Sequence, residues 1–346
     1  MRYHYFTGRP LLCRSACSML VSTGLDEGGR ALAATPYTTG LNRLAHGCYA
    51  WFEPPGSWGL ANSGFVVSGD EVLIVDTQND MPRARGLRDA VREVSGGHDV
   101  GTVVNTHADG DHWFGNVVFE GARILATPET AAEMRELKHD PRLIREAAEA
   151  SSGPALREFL NWRANFYDYA DWHPVWPTET FATTKSVKVG ETQVDLIPVG
   201  PAHTRGDAIV HVPEFGVVFA GDIVFHRSTP MVWTGPMANY IAACDRILAL
   251  EPTVVLSGHG SAAGASGVRD LRDYLTMVLE YASKRFAAGD SPLEAFHNID
   301  LGEYRLWAHS SRVYQAINAV YRELDPQRPS PSFAEAMEVV LAGDSY

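Results

Sequence analysis

Two histidines and two aspartates fall within six consecutive positions, His107 to His112, in the segment Asn-Thr-His-Ala-Asp-Gly-Asp-His-Trp-Phe-Gly-Asn. The apolar run Thr102-Val103-Val104 leads into this cluster, and Gly110 lets the chain turn tightly inside it. Imidazole nitrogens and carboxylate oxygens gathered after a buried strand are the donor set of a zinc, iron or manganese site. His107 and Asp109 are two positions apart, so an extended backbone points both to one side. Beyond the turn, Asp111 and His112 can face a neighbouring ion. Isolated donors follow four other apolar runs: Asp76 after 72–75, His203 after 196–199, Asp222 after 217–221 and His259 after 254–258. Strand ends of an α/β protein converge on one edge, where ligand sites lie. The two carboxylate oxygens of Asp222 suit it to bridging a pair of ions.

These donors need a scaffold. Residues 65–67 and 71–77, joined by Ser68-Gly69-Asp70, read as a β-hairpin. Leu87, Ala90, Val91 and Val94 recur at helical spacing within 81–94. A strand at 102–106, another at 123–126 and a helix at 129–138 continue a β–α–β–α alternation that predicts an α/β architecture. Residues 140–169 read as helical and mixed in polarity, and 171–181 is rich in Trp, Pro and His; together they predict a helical, aromatic insertion at about 140–181. Strands resume at 186–189, 193–199, 208–212 and 216–220, the last two turning at Pro213-Glu214-Phe215. A helix at 237–250 and a strand at 253–256 follow. Past Gly267 the pattern is helical: 268–286, 303–324 and 333–341, with Pro326, Pro329 and Pro331 between the last two. The expected organisation is a flexible extension over 1–36, a catalytic domain over 37–265 and a C-terminal helical extension over 266–346.

Composition narrows the function. The chain has 346 residues, 45% hydrophobic, enough for a large core, and a net charge of −13 with no basic stretch, which speaks against nucleic-acid binding. Cys13, Cys17, Cys48 and Cys244 form no CxxC pair, so neither a disulfide framework nor a structural zinc knuckle is expected. The compartment expected from this cysteine usage is the cytoplasm, with no membrane span and no membrane partner. Aromatics crowd the region before the first hairpin (Trp51, Phe52, Trp58), the donor cluster (Trp113, Phe114), and the insertion, with Trp233 after the Asp222 strand. They favour core packing and, near the donor edge, an apolar or aromatic small-molecule substrate. A homodimer through the helical tail is a further expectation.

The ordered donor set resembles that of the metallo-β-lactamase superfamily, whose signature is His-x-His-x-Asp-His followed by a lone His, a lone Asp and a final His. The matching residues are His107, Asp109, Asp111 and His112, then His203 in Ala-His-Thr-Arg-Gly-Asp, Asp222 in Ala-Gly-Asp-Ile-Val-Phe, and His259 in Ser-Gly-His-Gly, with Asp76 at the acidic end of an early strand. The resemblance covers about 45–265 and implies a four-layer αββα sandwich with two divalent ions at one edge. By position, one ion takes His107, Asp109, His203 and shared Asp222, and the other takes Asp111, His112, Asp222 and His259. The implied chemistry is hydrolytic: a metal-held hydroxide attacks an ester, thioester or lactone carbonyl, Asp111 or a metal-held water protonates the leaving group, and Asp76 orients a histidine or the metal loop.

One position departs from the signature: Asp109 stands where the second motif histidine belongs. Two divalent ions carry four positive charges. Asp111, Asp222 and a hydroxide leave one, and an ionised Asp109 removes it. The ions become weaker Lewis acids, and carboxylate donors shift preference toward harder iron or manganese. Zinc is the expected metal, with iron or manganese as alternatives. Flavodiiron members of the superfamily also carry an acid there. Asp-His-Trp-Phe-Gly-Asn, the stretch 58–77 and the tail around 312–324 are similar to cyclase/thioesterases of aromatic polyketide pathways. Two alternatives to a generic acyl hydrolase therefore stand: such a cyclase/thioesterase, and a non-haem iron oxygenase.

Overall fold

The computed structural model describes residues 37–137, 140–329 and 331–343. The expected extension over 1–36 and the last residue of the helix expected over 129–138 lie outside the described residues.

The first sheet begins with two strands the sequence pattern did not signal, β1 (Gly40–Ala45) and β2 (Cys48–Phe52), paired antiparallel. Their alternation is weak because β1 carries Asn42 and Arg43 at a half-exposed edge. β3 (Ser63–Ser68) and β4 (Glu71–Val75) form the expected hairpin, with Gly69 at φ 58° supplying the left-handed turn residue. α1 (Met81–Ser95) follows, capped by the Asp80 side chain on the Arg83 amide and stopped by left-handed Gly96. β5 (Thr102–Val104), the single helical turn α2 (Gly110–Trp113), β6 (Arg123–Ala126) and α3 (Pro128–Glu136) come next. The insertion contributes α4 (Ile144–Ala150) and α5 (Pro154–Phe166), and the short β7 (Glu179–Thr180) completes the sheet in the order β1-β2-β3-β4-β5-β6-β7.

The second sheet is built from β8 (Lys185–Val189), β9 (Thr192–Pro198), β10 (Ala208–Val212), β11 (Val217–His226) and β12 (Val254–Gly260), ordered β12-β11-β10-β9-β8. α6 (Met237–Leu248) joins its last two strands, which run parallel. α7 (Ala265–Ala287), α8 (Pro292–His297), α9 (Val313–Leu324) and α10 (Phe333–Gly343) end the described chain.

Three apolar layers explain the stacking. Val66, Leu73, Val104 and Leu125 from the first sheet meet Val194, Leu196, Val210 and Phe219 from the second. Leu87 and Val91 of α1 cover the outer face of the first sheet on Ile74 and Val103. Tyr240 of α6, Leu271 and Leu275 of α7 and Ile317 of α9 cover the outer face of the second on Ile209 and Val218. The result is the expected α/β arrangement of helices, sheet, sheet and helices, with a helical C-terminal region packed into it. Leu125, fully buried between the sheets, illustrates the energy at stake: truncation to alanine costs about 2–5 kcal/mol.

Two expected elements differ. The helix expected over 303–324 is broken into 3-10 turns at Gly302–Leu306 and Ser310–Arg312 before α9. Ala308 instead pairs with the backbone of Arg227 and Thr229, and His309, at φ 58°, redirects the chain. β11 also runs on past Ala220, through an irregular pairing with β12 between Gly221 and Phe225. Asp222 and His259 therefore sit inside distorted strand ends, not beyond them. The glycines make this fit: a Cβ on Gly258 would lie 1.9 Å from Asp222 Oδ1.

Candidate metal centre

All seven predicted donors meet at one edge of the sandwich. The loop after β5 brings His107 and Asp109, α2 adds Asp111 and His112, the loop after β9 brings His203, and β11 and β12 supply Asp222 and His259. They divide into two sets able to hold an ion, each with donor atoms within 4.8 Å of one another: His107, Asp109, His203 and Asp222, and Asp111, His112 and His259. Asp222 reaches both. Its Oδ2 lies 3.9 Å from His107 Nε2 and 3.4 Å from the Nε2 atoms of His203 and His259, while Oδ1 lies 3.2 Å from His112 Nε2. Asp109 Oδ2 is 3.1 Å from His203 Nε2, and Asp111 Oδ2 is 3.3 Å from His259 Nε2.

Each imidazole is held by its other nitrogen. His112 Nδ1 meets Asp76 Oδ2 at 2.8 Å, His203 Nδ1 the Met231 carbonyl at 2.8 Å, and His259 Nδ1 the Leu60 carbonyl at 3.2 Å. His107 Nδ1 meets Thr106 Oγ1 at 2.9 Å, and that hydroxyl donates onward to Asp76 Oδ2 at 2.8 Å. With Nδ1 donating in every case, all four Nε2 atoms face a common centre, where a cation that displaced their protons would meet their lone pairs. Asp76 also lies within reach of His107 and His112 as a third grouping. Both of its oxygens are already taken, however, Oδ1 by the Thr106 amide and Oδ2 by Thr106 and His112. The structure thus puts Asp76 behind the histidines, in the left-handed conformation (φ 61°) that aspartate tolerates better than most residues.

The donors fit cations on a second count. His107 Nε2, His112 Nε2 and Asp222 Oδ1 are buried with no hydrogen-bond partner; the 3.2 Å approach of the last two lacks hydrogen-bond geometry. A buried polar atom left unpaired costs about 1–3 kcal/mol, so three at one point require an explanation. A cation supplies it.

Charge is arranged accordingly. Burial alone would raise the Asp222 carboxyl, but His259, His112 and His107 hold it well below the usual range. Asp111 is likewise lowered against the effect of burial by His112 and His259, and Asp109 by His203 and His107. Burial opposes charge on the histidines too, yet the carboxylates raise His203 to about 9, His259 to about 9 and His112 well above its ordinary value. His107 falls to about 4 through burial and the neighbouring His112. The acids are therefore ionised, and the positive charge that matches them sits where cations would replace it.

The loop carrying His203 is shaped by Asp207, whose carboxylate accepts from the Ala202 and Thr204 amides and the Thr204 hydroxyl. Beside the α2 turn, Trp113, Phe114, Tyr167, Tyr169 and Trp172 form one buried aromatic cluster. Two contacts here had no local sequence signal. Trp233 Nε1 donates to Asp109 Oδ2 at 2.8 Å. Arg163 of α5 packs 5.5 Å from the Tyr167 ring and 5.7 Å from the Phe159 ring, with a buried Nε that has no partner, and its charge interacts with Tyr169, Tyr167 and Asp111.

Residues 56–259 match the sequence model of the Metallo-beta-lactamase superfamily, and the chain belongs to that superfamily. Among curated proteins it is similar to the acyl-coenzyme A thioesterase MBLAC2 of Gallus gallus, 27% identical over 169 residues, covering 47% of this chain and 57% of the relative. It is also similar to the hydroxyacylglutathione hydrolase of Erythrobacter litoralis (strain HTCC2594), 34% identical over 71 residues, covering 20% of this chain and 28% of the relative. The chain thus spans little more than half of one relative and under a third of the other. The fold is shared with the sec-alkylsulfatase Pisa1 from Pseudomonas sp. (TM-score 0.66, 15% identity, 85% of this chain and 52% of that one). It is shared too with a metallo-beta-lactamase family protein from Thermus thermophilus (TM-score 0.56, 22% identity, 82% and 95%). Among the described residues, no helix is long and apolar enough to cross a membrane.

Proposed function

We propose that this protein is a metal-dependent hydrolase of an ester, thioester or lactone carbonyl in an apolar or aromatic small molecule. The observation that carries the reading is the convergence of four Nδ1-anchored imidazoles on the two oxygens of Asp222. His107, Asp109, His203 and Asp222 would hold one divalent ion, and Asp111, His112, Asp222 and His259 the second. Zinc is the preferred metal. Asp109 is the one observation that favours iron or manganese, and with iron an oxygenase reading. When bound, the ions supply an acidified water as nucleophile and a positive centre for the developing negative charge.

The chain's own groups do the rest. Asp76 holds His112 in the tautomer that leaves Nε2 free. The leaving group would take its proton from Asp111 or from a water held by the ions. The buried aromatic cluster beside α2 packs against Ala108 of the donor loop and gives that side of the centre an apolar backing. Similarity to an acyl-coenzyme A thioesterase supports a thioester first among the three acyl classes.

The test is a panel of aryl esters, acyl thioesters and lactones given to protein whose metal content has been measured. Turnover that tracks metal content is expected. Fully metallated protein that turns over none of them refutes the hydrolase reading, and dioxygen uptake by an iron-loaded form would replace it with the oxygenase.

A further inference from the structure

The segment 231–235, between β11 and α6, touches two donors of the same ion set. The Met231 carbonyl accepts from His203 Nδ1 at 2.8 Å, and the Trp233 and Thr234 amides donate to the His203 carbonyl at 3.0 and 3.2 Å. From the same segment the Trp233 indole reaches Asp109 Oδ2 at 2.8 Å, the oxygen that lies 3.1 Å from His203 Nε2 and 4.0 Å from His107 Nε2. Asp109 is otherwise the least sheltered donor, its side chain 34% exposed against 3% for Asp222.

The chemistry of the pair is specific. A carboxylate at the end of a short side chain rotates freely, whereas a ligand must present one oxygen in one place. The indole N–H is a donor only and carries no charge. It fixes Oδ2, leaves that oxygen a second lone pair, and withdraws some of the negative charge that aspartate adds where the superfamily signature has histidine. Trp233 is itself braced by the C-terminal helices. Arg322 of α9 donates to its carbonyl at 3.2 Å, and the Phe333 ring of α10 lies 5.9 Å from its own.

We infer that Trp233 is the positioning residue for Asp109, and that through it the C-terminal helices set the occupancy of the ion site formed with His107 and His203. The inference rests on the metal-centre reading above. The experiment compares full-length wild type, Trp233→Phe, Asp109→His and the double variant, using cobalt titration followed by visible absorption and chelator competition. Trp233→Phe keeps the ring and removes the N–H. One of the two binding steps is expected to weaken about 10–100-fold, the range for losing an outer partner of a ligand, with the other step and far-UV circular dichroism unchanged. In the Asp109→His background the same change should leave both steps and the absorption bands as they are. Equal losses in both backgrounds, or no loss in either, overturn the inference. If Trp233→Phe fails to fold, Phe333→Ala decides: a shifted band with weaker binding at the same step supports the inference, and an unchanged titration overturns it. Wild type that binds no cobalt would instead sink the metal reading itself.

Discussion

The two halves of the centre are anchored differently. On the Asp111–His112–His259 side, His112 is locked by Asp76, which is 2% exposed at the end of β4, and His259 by the Leu60 carbonyl. These supports come from the end of β4 and from the connection between β2 and β3. On the Asp109–His203 side, the supports are Met231 and Trp233, from a connecting segment packed against α9 and α10. One half is tied to the sheet end that carries Asp76, the other to the C-terminal helices through the segment 231–235. Asp109 lies in the second half, so the departure from the superfamily signature falls on the side braced by the segment 231–235 and the C-terminal helices.

The strongest way to break the distinction is to remove the group both halves share. Asp222→Ala should lose both ions and lower hydrolysis by at least about 1000-fold, read by elemental analysis and the acyl panel together. Retention of two ions would mean Asp222 is no bridge.

Asp76→Asn attacks the His112 side most directly, since Asp76 meets His112 itself and reaches His107 only through Thr106. It replaces an acceptor of three hydrogen bonds by an amide, freeing His112 to turn. The expected loss is about 10–100-fold in affinity at the His112 site, measured by competition titration, with the His203 site less affected. Equal loss at both sites would erase the contrast.

Asp109→His restores the signature on the other side. Tighter zinc binding is expected, because a neutral ligand returns one positive charge to the ion pair. Unchanged metal content and activity would show that Asp109 is not a ligand.

Acidity offers a smaller, graded test. His203 and His259 are raised to about 9 from 6.5, so in metal-free protein their stabilisation is fully present below 6.5 and lost as pH rises through 9. The Tm of metal-free protein should fall across that window, and metal affinity should rise across it as fewer protons must be displaced. A Tm that climbs with pH would contradict the charge arrangement.

How much of this could be read from the sequence depended on range. His107 to His112 is a local pattern, and the lone His203, Asp222 and His259 each follow an apolar run, so type and order were enough. The hairpin at Gly69 follows from turn chemistry, and the helix after Asp80 from the spacing of Leu87, Ala90, Val91 and Val94. Trp233 and Asp109 are 124 residues apart, and no local period links an indole to a carboxylate across that distance. Arg163 looks like any charged residue of an amphipathic helix; only packing shows that its Nε is buried without a partner. The break at His309 was equally hidden, because Ala308 answers to Arg227 and Thr229 rather than to its own helical neighbours.

The most direct measurement is the number of divalent ions per chain in full-length protein, by elemental analysis after dialysis, with Asp222→Ala measured alongside. Two ions in the wild type and none in the variant are predicted. A wild type that retains none, or a variant that retains as many as the wild type, would contradict a dinuclear centre held on Asp222.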